Sequence, residues 1–505
     1  MRERRSTDGG GGRSWRVLAW VLVLLTGVGV GRLHAAERPN IILVITDDQR
    51  FDALGCMGNP VLKTPHIDAL AESSTLFDRV ISTAGITPMS HASILTGLNN
   101  YKHGMRTFYS DKCGHTLKDS VETLPETLGR SGYRTAAAVS AYVVSEIYNL
   151  HQGFDTFLTG VDVDSIDITH QQKHATAWDT SGLTNTQRRG DFTVTDALNW
   201  LEESADDPRP WFLWVHLFDV HDYSLVPPTE FIESYGITYP ELGTKIVGMR
   251  GHEWRERMYD PELTWMDKQV GRLLEKLKDS GQLDETLIAI TADHGQGLLD
   301  GYRRHKWAKH RLLYDWCIQV PLILHLPSER GLARVPNQVR TIDIMPTILH
   351  VLDLAPRQDM EGLSLLPLIR GESEATPRMA YADALNLYDA HSPSKKSLPP
   401  GHYDNLYAVC DGRWKLVWRE EHPENSELFD LAADPLELNN LYSVDHPEGL
   451  RLLAQLESWE VTKVTPPEAG GSEASAQALQ SLGYMGDDEE DVVEEGESGE
   501  EDSQP

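Results

Sequence analysis

The chain has 505 residues, of which 40% are hydrophobic and 24% are charged. This length and balance predict a globular protein with one large and one smaller domain, and they exclude disorder for the bulk of the chain. The formal net charge of −31 argues against a nucleic-acid partner, because a phosphate backbone would be repelled rather than neutralised.

The N-terminus has the layout of a secretory signal. Several arginines precede an apolar run from Val17 to Val30, and small residues that suit cleavage follow at Ala35 and Ala36. The run is short for a membrane span. We therefore expect a cleaved signal over 1–36, a periplasmic or extracellular protein, and no stable membrane span in the mature chain. A retained N-terminal anchor is the alternative.

Apolar runs of strand length alternate with helical patterns as far as residue 350. The strand candidates are 40–46, 135–140, 211–218, 286–292 and 320–326. Because they lack polar alternation, they suit a sheet that is covered on both faces. The helical patterns lie at 66–73, 91–98, 121–132, 195–204 and 263–281. This alternation predicts an α/β sandwich with a mostly parallel central sheet.

After about residue 370 the pattern changes. Residues 406–420 contain two short apolar runs joined by Asp411 and Gly412, a pair typical of hairpin turns. The domains that we predict are a catalytic domain over 37–370, an α+β subdomain with an antiparallel hairpin over 371–486, and an acidic disordered tail over 487–505.

Four widely separated cysteines form no CxxC pair. They are Cys56, Cys113, Cys317 and Cys410. In an exported protein they can form up to two disulfides, but their spacing does not define a pairing. We interpret them as structural residues.

Two predicted strands end in groups that suit a metal ion. Asp47 and Asp48 follow the first strand, and Asp293 and His294 follow the run at 286–292. Ligands gather at the carboxyl ends of strands in open α/β sheets, so these four groups can converge. Three carboxylates and an imidazole suit a divalent ion such as calcium, magnesium or manganese. The alternative is that both dipeptides are ordinary turns or caps.

Thr87 and Pro88 open a helical segment, TPMSHASILT. The pair is typical of an N-cap followed by proline at the first helical position. A helix N-terminus also favours a bound anion and a deprotonated hydroxyl, and His91 lies on the same face as Thr87. Nucleophilic attack on an anionic ester requires a hydroxyl, an imidazole and a cation. The cap and the nucleophile both stay open as interpretations.

Two more histidines lie near the end of the strand at 211–218. His216 is inside the apolar run, so we interpret it as a core histidine. His221 lies beyond the strand end and is a candidate general acid or anion ligand.

A basic cluster, YRRHKWAKHR, occupies residues 302–311 of this acidic chain. Such a run is usually a solvated loop. Here it follows the predicted metal ligands so closely that Lys309 or His310 can reach an anionic group at the same metal.

Together these residues resemble the sulfatase family of the alkaline-phosphatase superfamily, from Pro39 to Gly486. The resemblance is carried by RPNIILVITDDQRFDALGCMGNPVLKTPHIDALAES, SILTGLNNYKHG, TLIAITADHGQGL, ELFDLAADPLELNNL and LGYMG. It implies an alkaline-phosphatase-like sandwich and hydrolysis of a small anionic ester or a sulfated carbohydrate. It also implies one divalent metal ion, expected to be calcium, with magnesium or manganese as alternatives.

The resemblance also assigns roles at matching positions. The implied metal ligands are Asp47, Asp48, Asp293 and His294, the last being Asn or His in family members. His221 matches a histidine that faces the substrate, and Lys309 or His310 falls where the family has a lysine or histidine. His91 would join them in holding the non-bridging oxygens.

One departure from the family changes the expected chemistry. Sulfatases with a formylglycine have an oxidisable Cys or Ser in a C-x-P-x-R segment, whereas here Thr87 holds that position and His91 replaces the arginine. Threonine cannot become formylglycine, so none is expected and Thr87 itself is the candidate nucleophile.

The nature of the covalent ester separates several possible functions. A formylglycine hydrate expels sulfate by collapsing to the aldehyde, whereas a threonine sulfate must be broken by a second attack at sulfur. A threonine phosphate is turned over by water at a metal site. We expect a sulfatase, and the alternatives are a phosphomonoesterase or phosphodiesterase, a phosphoryl- or sulfuryl-transferase, and a non-catalytic anion-binding protein.

Overall fold

The apolar run that follows Pro39 is a central strand of the larger of two sheets. In the part of the chain that the structure describes, this sheet consists of β1 (Asn40–Thr46), β2 (Thr75–Ile81), β3 (Arg134–Ala138), β4 (Thr156–Leu158), β5 (Trp211–Leu217), β6 (Thr286–Ala292), β7 (Gln319–Val320), β8 (Leu322–His325) and β9 (Arg334–Arg340). The order is β4-β3-β5-β1-β6-β8-β2-β7, and β9 pairs with β2.

Parallel pairing dominates this sheet, as predicted. β1 is parallel to β5 and β6, β3 is parallel to β4 and β5, and β2 is parallel to β9. β8 runs antiparallel to β6 and β2, and β7 antiparallel to β2. The carboxyl ends of β5, β1 and β6 therefore adjoin at one edge, where the predicted ligands begin.

This computed structural model describes residues 38–109, 114–160, 186–221, 226–237, 251–298, 312–327, 329–388, 404–468 and 470–482, without the side chains of 251–256, 480 and 481. The predicted signal at 1–36, the acidic tail at 487–505, Cys113, Lys309 and His310 lie outside the described residues.

The helices pack on both faces of the large sheet and on the smaller sheet of the C-terminal region. They are α1 (Pro65–Ala71), α2 (Thr87–Thr96), α3 (Asn100–His103), α4 (Leu124–Arg130), α5 (Gly190–Glu203), α6 (Thr229–Glu233), α7 (Gly251–Asp279), α8 (Asp315–Ile318), α9 (Ile344–Val351), α10 (Leu366–Ile369), α11 (Pro447–Ser458) and α12 (Glu473–Ser481). Each of the five predicted helical patterns overlaps one of them. None of these described helices is both long and apolar enough to cross a bilayer.

Two hydrophobic cores lie on opposite faces of the large sheet. Ile41, Leu43 and Ile45 of β1 belong to one core, and Ile42 and Val44 belong to the other, because successive residues of a strand point to opposite faces. Helix α2 packs in the first core and α7 in the second. All ten residues of α2 are buried, so the helix is enclosed on every side.

A second sheet follows in the C-terminal region. It is antiparallel, in the order β10 (Ala380–Leu385), β11 (Asn405–Cys410), β12 (Trp414–Arg419) and β13 (Glu427–Asp430). The predicted hairpin is confirmed, and Gly412 in its turn has a φ of 95°, a value that glycine adopts without strain. The domain limits at 37–370 and 371–486 stay predictions. Among the described cysteines, Cys56, Cys317 and Cys410, no disulfide is formed.

Candidate active site

The four predicted metal ligands converge at the carboxyl ends of β1 and β6. The two strands are in register up to the pair Thr46 and Ala292, so the residues that follow them are neighbours. Asp293 donates its backbone N–H to the Thr46 carbonyl at 3.1 Å. Asp48 donates its backbone N–H to Asp293 Oδ1 at 3.3 Å, across 245 residues of chain. Parallel pairing thus brings the two dipeptides together.

The backbone leaves the extended conformation at Asp48. Asp48 has a φ of 56°, in the left-handed region. Side chains of adjacent residues in a strand point to opposite faces, so this turn lets Asp47 and Asp48 contribute to one site. The Tyr259 hydroxyl of α7 donates to the Asp48 carbonyl at 3.2 Å and accepts the Arg50 N–H at 2.9 Å. Helix α7 therefore supports the turn from the second core.

His294 lies between two of the carboxylates. Its Nδ1 is 3.0 Å from Asp48 Oδ1, and its Nε2 is 3.3 Å from Asp293 Oδ2. Burial raises the pKa of Asp293 well above its ordinary value, and the nearby Asp47 carboxylate raises it further. Burial lowers the pKa of His294, but the carboxylates of Asp293 and Asp48 outweigh it and raise that pKa to about 10. Both shifts arise because negative charge is concentrated in this buried cluster, so the cluster favours a bound cation.

The donor set fits a divalent metal ion. Two overlapping groups have ligand atoms that all lie within 4.8 Å of one another: Asp47, Asp293 and His294, and Asp47, Asp48 and His221. Asp47 belongs to both groups. Carboxylate oxygens with imidazole nitrogen suit calcium, magnesium and manganese, and burying like-charged carboxylates together is costly unless a cation compensates them.

Thr87 lies beside these ligands. Its Oγ1 is 3.2 Å from His294 Nε2, and its side chain is buried. The prediction that Thr87 is the N-cap is wrong by one residue, because the extended residue Ile86 occupies that position and α2 begins at Thr87. Pro88 is thus the second helical residue, where its missing N–H is not needed for a helical hydrogen bond.

His91 contacts the start of its own helix. Its Nδ1 is 2.8 Å from the Thr87 carbonyl oxygen, and since a carbonyl only accepts, Nδ1 carries a proton. Burial holds the pKa of His91 well below its ordinary value, and the His216 imidazole lowers it further. The neutral His91 side chain therefore stabilises the first turn of α2 by a hydrogen bond and adds no positive charge to the site. The predicted position on the face of Thr87 is confirmed.

His216 belongs to the site, whereas the sequence interpretation placed it in the core. It is fully buried in β5, and its Nε2 is 3.2 Å from Asp47 Oδ2. Burial lowers its pKa to about 3, so the imidazole is neutral. In the sequence, the available signal was its place near the end of a predicted strand.

His221 lies beyond the end of β5, as predicted. Its ring stacks on Phe218 with 4.1 Å between centroids, and its Nε2 is 3.9 Å from Asp48 Oδ2. The structure thus brings His221 to Asp48, a carboxylate that also contacts His294. Lys309 and His310 lie outside the described residues, so their assignment stays a prediction.

The antiparallel sheet holds the chain on both sides of α2. The Asp383 carboxylate of β10 accepts hydrogen bonds from Asn100 Nδ2 and Arg106 Nε, both at 2.7 Å. Its backbone N–H donates to the Thr83 carbonyl at 3.0 Å. Thr83 precedes α2 and Asn100 follows it. The C-terminal region therefore fixes the helix that carries Thr87.

Comparisons with known proteins show which proteins this chain is similar to. The profile of the family described as Sulfatase matches residues 39–354, and that of N-sulphoglucosamine sulphohydrolase, C-terminal, matches residues 303–462. An N-acetylglucosamine-6-O-sulfatase of Bacteroides thetaiotaomicron is 23% identical, with 80% of this chain and 83% of that protein covered. An arylsulfatase of Clostridium perfringens is 26% identical, with 83% and 93% covered.

A likeness to a solved structure extends the comparison to the fold. The phosphonate monoester hydrolase of Agrobacterium radiobacter has a TM-score of 0.61 at 21% identity, and the match covers 84% of this chain and 95% of that one. At this identity the likeness concerns the fold. The match spans nearly the whole of that enzyme.

Proposed function

The chain belongs to the sulfatase family of sulfuric ester hydrolases, and from that membership we propose that it is an exported, metal-dependent hydrolase of sulfate esters with Thr87 as its nucleophile. One observation carries the nucleophile assignment: Thr87 Oγ1 lies at the N-terminus of α2, 3.2 Å from Nε2 of His294, whose ring also contacts the buried carboxylates of Asp48 and Asp293. A helix N-terminus stabilises negative charge, which favours both a deprotonated hydroxyl and a bound anion.

The proposed metal ligands are Asp47, Asp48, Asp293 and His294. Calcium is the expected ion, and magnesium and manganese are the alternatives. When bound, the ion would neutralise the carboxylates, polarise the ester and favour the deprotonated form of a neighbouring hydroxyl. No formylglycine is expected, since threonine cannot form it.

The reaction that we propose has two steps. Thr87 Oγ1, whose proton has passed to solvent water, attacks the sulfur atom; a bond forms between them as the bond from sulfur to the alcohol oxygen breaks, and protonated His221 donates a proton to that oxygen. Water then attacks the sulfur of the threonine sulfate and gives up its proton to His221. The bond from sulfur to Oγ1 breaks, sulfate leaves, and Thr87 is restored in the deprotonated form that began the cycle.

The remaining site residues position the ester. His91 holds the Thr87 carbonyl through Nδ1 and so positions the first turn of α2. In this proposal Lys309 or His310 would hold the non-bridging oxygens. Because one relative is named for a sulfated sugar, a sulfated carbohydrate is the proposed substrate class, with a small anionic ester as the broader description.

Phosphate ester hydrolysis at the same residues is the second candidate. The observation that favours it is Thr87 itself, because a threonine phosphate can be hydrolysed without the aldehyde chemistry that formylglycine provides. The fold likeness to a phosphonate monoester hydrolase is compatible with this alternative.

A panel of esters tests both candidates. An aryl sulfate, an aryl phosphate monoester and an aryl phosphate diester are offered to the wild-type protein, Thr87→Ser and Thr87→Val, with bound metal quantified. We expect turnover of the sulfate by the wild type, retention in Thr87→Ser, and a loss of at least about a thousandfold in Thr87→Val. Preference for either phosphate would favour the second candidate. Full activity in Thr87→Val would overturn the nucleophile, and high-resolution intact mass after quenching would distinguish a sulfated from a phosphorylated intermediate.

A further inference from the structure

We propose that His216 is a positioning residue that fixes the Asp47 carboxylate for metal binding. This inference rests on the proposed metal centre and deepens it, because it concerns a side chain outside the set of ligands. His216 touches Asp47 and none of the reacting atoms, so its role is exerted through Asp47.

The hydrogen bonds of His216 define where its proton lies. The backbone N–H of Ser140 donates to His216 Nδ1 at 3.4 Å, so Nδ1 offers its lone pair. In a neutral imidazole the proton is then on Nε2, which is 3.2 Å from Asp47 Oδ2. The bond thus runs from an N–H to a carboxylate oxygen.

The histidine is anchored at its backbone as well as at its ring. The Ser140 hydroxyl donates to the His216 carbonyl at 2.7 Å and lies 2.7 Å from Thr193 Oγ1 of α5. Around the ring, His91 lies edge-on with 4.9 Å between centroids, and Phe218 lies at 5.9 Å. Because the ring is enclosed and bonded on two sides, its Nε2 has a fixed position.

A fixed Asp47 matters for the whole centre. Asp47 is the member shared by both groups of converging ligand atoms. A carboxylate that is held by one oxygen has lost much of its rotational freedom before a metal binds, so binding does not carry the cost of ordering it. Partners that orient ligands in this way typically change metal affinity by about 10–100-fold.

Another buried histidine of the same sheet offers a matched control. His325 of β8 is also buried, and it pairs with Ile288, four positions before the end of β6. It therefore lies away from the edge of the sheet that carries the ligands. Replacing His325 by leucine makes the same chemical change in the same sheet without touching Asp47.

The test measures metal binding directly, without turnover. Affinities for calcium and for manganese are determined by chelator competition in the full-length wild type, His216→Leu, His216→Gln and His325→Leu, and thermal midpoints are recorded with and without metal. We expect His216→Leu to bind about 10–100-fold more weakly. His216→Gln, whose terminal amide can donate at a similar reach, should bind within a few-fold of wild type. His325→Leu should lower the midpoint in the absence of metal and leave the affinity unchanged.

Each outcome decides between the alternatives. Wild-type affinity in His216→Leu, or equal weakness in His216→Gln and His216→Leu, would overturn the positioning role. If His216→Leu does not fold, His216→Asn takes its place, because its shorter amide does not reach Asp47; wild-type affinity there would overturn the role in the same way. A wild-type protein that binds neither ion would overturn the metal centre itself, whereas one that binds an ion but hydrolyses no ester would overturn only the proposed reaction.

Discussion

The hydroxyl of Tyr259 lies 3.2 Å from the backbone carbonyl oxygen of Asp48 and donates a hydrogen bond to it. This contact joins the long helix α7 to a turn in which Asp48 has a left-handed backbone, with a φ of 56°. Such a conformation typically costs about 1–3 kcal/mol in a residue other than glycine. The surrounding structure must therefore hold it, and Tyr259 is one of the groups that do so.

Replacing Tyr259 by phenylalanine should destabilise both the fold and the metal centre. The change removes two buried hydrogen bonds, the one to the Asp48 carbonyl and the one from the Arg50 N–H, so we expect a loss of about 1–3 kcal/mol in the free energy of unfolding. Urea unfolding and metal titration check this. Tyr235→Phe is the control, because it also removes a tyrosine hydroxyl with two hydrogen bonds, to the Lys63 N–H and to Thr264, but at a half-buried residue. An equal loss of metal affinity in both variants would contradict the prediction.

Replacing His294 by asparagine should change the preference between calcium and manganese while a metal ion still binds. Asparagine offers an amide oxygen where His294 offers nitrogen, and oxygen ligands suit calcium and magnesium better than nitrogen does. We expect His294→Asn to keep a bound ion, with its affinity for manganese reduced relative to calcium, and His294→Ala to lose affinity for both. Competition titrations with the two ions measure the ratio, and a ratio that does not move in His294→Asn would exclude His294 from the ligands.

The buried ion pair between Asp383 and Arg106 should be essential to the C-terminal contact with α2. Both side chains are at least 97% buried, with 2.6 Å between Asp383 Oδ2 and the Arg106 guanidinium. Asp383→Asn leaves the arginine charge uncompensated, so we expect a loss of about 3–5 kcal/mol in the free energy of unfolding. Glu202→Gln, at the surface pair with Lys276, should give no measurable change. An Asp383→Asn variant with nearly the wild-type free energy of unfolding would show that the pair is dispensable.

The capping carboxylate of Asp267 should make stability depend on pH. Asp267 of α7 accepts the backbone N–H groups of Ile67 and His66 at the start of α1, and burial raises its pKa from 3.8 to about 7. Between these two values the folded state holds the proton more tightly than the unfolded chain, so stability falls as pH rises through this window, by up to roughly 1.4 kcal/mol per pH unit.

Comparison with an uncharged variant isolates this effect. Asp267→Asn keeps an oxygen that can accept one of the N–H groups and cannot ionise. Its stability relative to the wild type should therefore improve from pH 4 to pH 7 and then level off. Urea midpoints of both proteins across this range provide the measurement, and a constant difference would contradict the raised pKa.

The strands that were predictable from sequence are those whose apolar runs contain no charged residue. β1 and β6 have the predicted limits, because their apolar runs are continuous and end abruptly in acidic residues. β2 was not predicted, since Asp78 and Arg79 interrupt its apolar pattern. In the structure Arg334 compensates Asp78, and Asp315 compensates Arg79, and both partners lie more than 200 residues away.

Pairing between strands explains what the sequence did not reveal about the site. The convergence of Asp47, Asp48, Asp293 and His294 was predictable, because parallel strands share a carboxyl edge. The contact between His216 and Asp47 depends on the register of β5 against β1, which no local pattern encodes. The support of Asp48 by Tyr259 depends in the same way on how α7 packs against the sheet.

The position of β1 between β5 and β6 has a consequence for how the chain matures. During synthesis Asp47 and Asp48 emerge early, yet Asp293 follows Asp48 by 245 residues. Distant parallel pairing of this kind is slow, because a long loop must close before the contacts can form. A nascent chain that has not reached Asp293 carries half of the ligand set, so tight metal binding would report that β1 has paired with β6.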